Sequence, residues 1–106
     1  MKKMKISVCM TTYNGANHIH RQLNSILPQL DKHDEIIICD DGSKDATVSI
    51  IRSFKDSRIK LFQNSFQNVV LNFESAIEKA EGNYIFLSDQ DDIWYDTKVI
   101  DIMCHL

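Results

Sequence analysis

The feature that most constrains this chain is an alternation, repeated four times, of a short apolar run, a polar loop and a segment whose apolar residues recur at helical spacing. "KISVCMTTY" precedes "NHIHRQLNSILPQL", where Ile19, Leu23, Ile26, Leu27 and Leu30 mark one face of a helix. "DEIIICDDGS" precedes "KDATVSIIRSF", which places Val48, Ile51 and Phe54 together after a cap expected at Ser43 or Asp45. "RIKLFQ" precedes "NVVLNFESAIEKAEG", for which Gly82 is the expected stop, and "NYIFLS" precedes "YDTKVIDIMCHL", the start of a fourth helix.

Strands that read as uninterrupted apolar runs, each followed by a helix, predict an α/β fold. The sheet would be doubly wound and mostly parallel, about four strands wide, with helices on both faces. At 106 residues, 43% of them hydrophobic and 25% charged, the chain is expected to form a single domain spanning 1–106. In such sheets ligands bind beyond the carboxyl ends of the strands. There the sequence places "TTYNG", "DDGS" and "SDQDD", three polar loops of which two are acidic.

The net charge of −3, with Lys and Arg dispersed, argues against a nucleic-acid partner. Cys9, Cys39 and Cys104 form no close Cys/His cluster of metal-site spacing and are read as packing residues in a reducing compartment. The apolar segment "ISVCM" is too short for the core of a signal peptide, and no stretch approaches the ~20 apolar residues that cross a bilayer. A cytoplasmic location is expected.

Asp89, Asp91 and Asp92 crowd one turn, where like charges repel unless a cation answers them. Hard carboxylate oxygens favour Mg or Mn, and Mg completes its shell with water and substrate phosphates, so a sparse acidic turn suits a metal that arrives with a phosphorylated ligand. Tyr13 could stack on a nucleobase or be an amphipathic rim residue. A carboxylate of "DDGS" could accept the N–H of a uracil or thymine, or the stretch could be a turn with a helix cap.

Three stretches carry a resemblance. "ISVCMTTYNG", "EIIICDDGSKD" and "GNYIFLSDQDDIW" are similar, in that order, to the opening strand and TYN turn, the DDGSxD loop and the DXD-ended strand of family 2 glycosyltransferases of the GT-A fold. The likeness spans nearly the whole chain and implies a nucleotide-sugar donor bound with Mn or Mg, and transfer of its sugar to an acceptor hydroxyl with inversion. Carried over by position, it implies that Thr11 and Tyr13 line the base pocket, Asp41 binds the base edge, Asp89 approaches the ribose or sugar, and Asp91 coordinates the metal. Asp40 is expected to order the turn, and Asp92 to cap a helix or support the metal ligand. The form "SDQDDIW" resembles members that build bacterial surface polysaccharides, so a dTDP-sugar competes with a UDP-sugar as donor, with a saccharide or lipid-linked saccharide as acceptor.

The chain departs from that pattern where many members carry a glycine-rich stretch with an arginine; it reads "NSFQNVVLNFESA", in which Asn72 could touch the donor, cap or pack. His18 and His20 are read as solvated surface, His33 falls at the opposite end of the sheet, and His105 lies near the terminus. The general base is therefore expected beyond residue 106, in an acceptor-binding half, and the chain alone is expected to bind donor without transferring sugar. A longer parent could be peripheral at the inner face of the membrane, and an exposed edge could support a homodimer. The competing readings are a phosphoacceptor receiver-like domain, for which no strand exits into the needed Lys, and a non-catalytic nucleotide-binding module.

Overall fold

The expected alternation is realised as β1 (Ile6–Thr12), α1 (Ile19–Ile26), β2 (Glu35–Asp40), α2 (Thr47–Ser53), β3 (Ile59–Gln63), α3 (Val69–Lys79), β4 (Tyr84–Ser88) and α4 (Lys98–Met103). The coordinates are a computed structural model that describes residues 4–89 and 91–105. All strand pairs are parallel, in the order β3-β2-β1-β4. The fold is the doubly wound α/β sheet expected from the sequence.

Handedness explains which helix lies where. Right-handed crossovers from β1 through β2 to β3 lay α1 and α2 on one face, and the return from β3 to β4, past β1, sends α3 to the other. The larger core follows: Val8 and Met10 of β1 and Ile36 and Ile38 of β2 meet Leu23 and Ile26 of α1, Ile51 of α2, Trp94 and Val99. On the α3 face a smaller cluster joins Cys9, Ile37, Cys39 and Ala76. Burying each large aliphatic side chain contributes about 1.5–3 kcal/mol.

Four sequence expectations need correction. β1 and β2 are buried at every position, but β4 is not enclosed on both faces: Ile85 and Leu87 are 45% and 53% exposed, because α3 packs on β1 and β2 rather than on β4. The first helix ends at Ile26 and tightens into a 3-10 turn over Leu27–Gln29; Pro28 lacks the N–H that the α-helix would need and its ring crowds the preceding turn. Gly82 is not a left-handed stop, since α3 ends at Lys79 with Ala80 as its cap. Its role is close approach: a Cβ there would lie 2.7 Å from the Ser7 nitrogen and 2.9 Å from the Lys5 carbonyl oxygen. Cys9 and Cys39 are buried as expected, whereas Cys104 is exposed rather than packed.

At the base of the sheet Glu35 is almost wholly buried. Its carboxylate accepts hydrogen bonds from Lys60 Nζ (2.7 Å), Ser7 Oγ (2.5 Å) and the Glu81 backbone N–H (2.7 Å), which tie β2 to β3, β1 and the approach to β4. Among the described residues no helix is long and apolar enough to cross a membrane.

Candidate functional site

The sheet order reverses between β1 and β4, and an α/β sheet opens its ligand crevice at the carboxyl ends of the strands flanking such a reversal. A cavity of about 420 Å³ lies there, lined by Thr11, Thr12, Tyr13, Asp41, Gln67, Asn68, Val69, Asn72 and Asp89. Its size falls in the range of small-molecule sites. Thr11, Tyr13, Asp41 and Asp89, predicted from separate loops, thus share one cavity. Asp91 does not line it. Gln90, the central residue of the acidic motif, lies outside the described residues.

The loops after β1 and β2 are stitched together. Asn14 adopts a left-handed backbone (φ 49°), which Asn tolerates better than most residues. Its N–H donates to Ser43 Oγ (2.8 Å), and its side-chain oxygen accepts from the Lys44 N–H (2.8 Å). Gly15 N–H donates to Thr47 Oγ1 (2.8 Å) and Ala16 N–H to Asp45 Oδ2 (3.1 Å). Asp45 also accepts from the Thr47 N–H at the start of α2 (3.0 Å), but the cap position itself falls on Ala46, which makes no side-chain cap bond, so neither Ser43 nor Asp45 is the cap expected from the sequence. Bonds from the Thr47 hydroxyl first, against a smaller opposing effect of desolvation, hold its carboxyl below the usual range.

The two acids of "DDGS" divide their work. Asp40 is fully buried and accepts from Thr12 Oγ1 (2.7 Å), Ser43 Oγ and the Ser43 N–H (2.8 Å), so it orders the turn, as expected. Asp41 reaches across to the β3–α3 loop, where Oδ1 accepts from the Gln67 N–H and Oδ2 from the Asn68 N–H, each at 3.0 Å. Each oxygen keeps a second lone pair that can face the cavity. Asn68 caps α3 by accepting from the Leu71 N–H (3.0 Å). Asn72 is buried, donates to the Cys39 carbonyl at 2.6 Å and accepts from Asn64 Nδ2 at 2.9 Å, so it packs while lining the cavity wall.

Two contacts at the acidic turn were not legible in the sequence. Gln22, buried on α1, donates to the Asp89 carbonyl (2.7 Å) and to Ser88 Oγ (3.0 Å). His18, read from sequence as solvated surface and indeed 39% exposed, also places Nε2 3.3 Å from Asp91 Oδ1. No local signal marks either contact, because both partners lie at the exit of β4, far away in the sequence.

The sequence profile described as glycosyl transferase family 2 matches residues 7–105. The chain is 39% identical over 95 residues to an Escherichia coli protein named UDP-Glc:alpha-D-GlcNAc-diphosphoundecaprenol beta-1,3-glucosyltransferase WfaP, covering 89% of this chain and 38% of that protein. It is 39% identical over 98 residues to the Shigella flexneri dTDP-rhamnosyl transferase RfbG, covering 85% and 34%. The crystal structure of S. aureus TarS 1-349 in complex with UDP-GlcNAc superposes with a TM-score of 0.86 at 28% identity, over 95% of this chain and 30% of that one. The chain therefore spans about a third of the length of these relatives.

Proposed function

The chain belongs to glycosyl transferase family 2, and from that premise we propose that residues 1–106 form one nucleotide-sugar-binding domain that takes a UDP- or dTDP-sugar with a divalent metal, for sugar transfer in surface polysaccharide synthesis. The observation that carries this reading is the cavity at the β1/β4 switch, which gathers Thr11, Tyr13, Asp41 and Asp89 from three loops. Relatives that use a UDP-sugar and a dTDP-sugar by name support both donor classes. The phosphoacceptor alternative is set aside by the family match.

Each residue has a role its position allows. Tyr13, half exposed on a fixed loop, stacks on the base, with Thr11 beside it. Asp41 accepts the imide N–H of uracil or thymine while holding the Gln67–Asn68 backbone that forms the opposite wall. Asp89 meets the ribose or sugar. Asp91 holds the metal: its carboxylate is 54% exposed and offers hard oxygen. Among the described residues no group of three or more His, Cys, Asp or Glu is gathered; an ion held by Asp91 would take its other ligands from water and the diphosphate. Bound Mn or Mg would supply positive charge against the departing diphosphate. In the transfer itself the acceptor oxygen bonds to the anomeric carbon with inversion as the nucleoside diphosphate leaves, and the acceptor proton passes to a general base not assigned within this chain.

Calorimetry with UDP, dTDP and GDP, each with Mn and with EDTA, tests the reading. Metal-dependent binding of UDP or dTDP, with GDP weaker, is expected. Affinity indifferent to both metal and base would refute it.

A further inference from the structure

We propose that His18 is a positioning residue, which holds Asp91 in place for the metal while Gln22 anchors the turn behind it. The inference rests on the donor-site reading above. Asp91 sits in the left-handed region (φ 70°), which Asp adopts more readily than most non-glycine residues and which contacts from a neighbouring element can steady. That support comes from one face of the α1 region. Gln22 donates to the Asp89 carbonyl and Ser88 Oγ, fixing the exit of β4. One helical turn earlier, His18 Nε2 contacts Asp91 Oδ1 at 3.3 Å, leaving Oδ2 without a partner among the described residues. His18 is itself fixed, because its backbone N–H donates to the Gly15 carbonyl (2.9 Å), which belongs to the loop stitched to β2. The chain of contacts runs from the rigid TYN loop through His18 to the one acid expected on the metal.

The test is Mn titration of the chain in saturating UDP, followed by the electron paramagnetic resonance signal of free Mn, for the wild type, Asp91→Ala, His18→Phe and His18→Gln. Phe keeps the ring volume without a polar atom, and Gln restores a polar group at that position. Losing an outer partner of a metal ligand weakens metal affinity by about 10–100-fold; His18→Phe is expected at the low end, about 10-fold, with His18→Gln recovering much of it. Thermal midpoints and UDP affinity in EDTA, measured on the same variants, separate this effect from loss of folding. Mn affinity unchanged or tightened in His18→Phe while Asp91→Ala loses it would overturn the positioning role and leave the donor site standing, as would equal weakening in both His18 variants. A wild type whose UDP binding ignores Mn would overturn the donor-site reading and this inference with it.

Discussion

Replacing Glu35 by Gln removes the one buried charge that ties together β1, β2, β3 and the approach to β4. Burial alone would raise its carboxyl, but the Glu81 N–H, Lys60 and Ser7 together overcome that and bring it from 4.5 down to about 2. A group whose folded pKa is depressed contributes stability that is fully present above its unfolded value and is lost as pH falls toward the folded one. At about 1.36 kcal/mol per pH unit between those two values, Glu35 contributes ~3 kcal/mol at neutral pH, decaying between roughly pH 5 and pH 2. Lys60 and Lys5 lie at the solvent edge, 43% and 30% exposed, so salt screening lowers the figure toward ~2 kcal/mol. Urea denaturation of the wild type and Glu35→Gln at pH 7, 4 and 3 measures it. The midpoint of the variant should fall by roughly 1–3 M at pH 7, and the gap should close as the pH drops. A gap that stays constant from pH 7 to pH 3, or none at pH 7, would refute the reasoning.

Gly82→Ala should destabilise by about 1–3 kcal/mol, since its Cβ meets backbone atoms of Ser7 and Lys5 that cannot swing aside; a wild-type melting temperature would contradict this. Tyr13→Ala should leave the fold intact and weaken UDP and dTDP binding by ~1–3 kcal/mol, the scale of base stacking on an aromatic ring, read by calorimetry. Asp41→Asn leaves one of two backbone N–H groups without its acceptor, a cost of about 1–3 kcal/mol. Hydrogen exchange should then rise at Gln67 and Asn68, and UDP affinity should fall with it.

What could be read from the residues alone follows from which forces are local. β1 and β2 are legible because central strands buried on both faces are mostly apolar, and the acids at the exit of β2 stand out against that background. The cavity itself was inferred from the rule that ligands gather at strand ends, and Thr11, Tyr13, Asp41 and Asp89 do meet there. Gly82 was misread because a close approach to Ser7 is a tertiary fact, with no trace in the neighbouring sequence. The length of the first helix was overdrawn because apolar spacing continues through Leu30 while Pro28 has already ended the α-helical ladder. The sequence leaves His18 looking like solvated surface and Gln22 without a role, because their partners, Asp91 and Asp89, are brought near only once β4 lies beside β1. Asn14 shows no role in the sequence, because its left-handed backbone and its bond from the Lys44 N–H depend on the second loop.

The stitching of the TYN loop to the loop after β2 bears on how a donor would be received. Fixing a residue's backbone costs about 1–2 kcal/mol of conformational entropy, and for residues 14–16 that loss is already taken when the chain folds, because Asn14, Gly15 and Ala16 are each anchored to the neighbouring loop. A base arriving at Tyr13 therefore meets a platform that has little freedom left to surrender. Binding on that side should resemble a key entering a finished lock, with association fast and affinity set mainly by how quickly the nucleotide leaves.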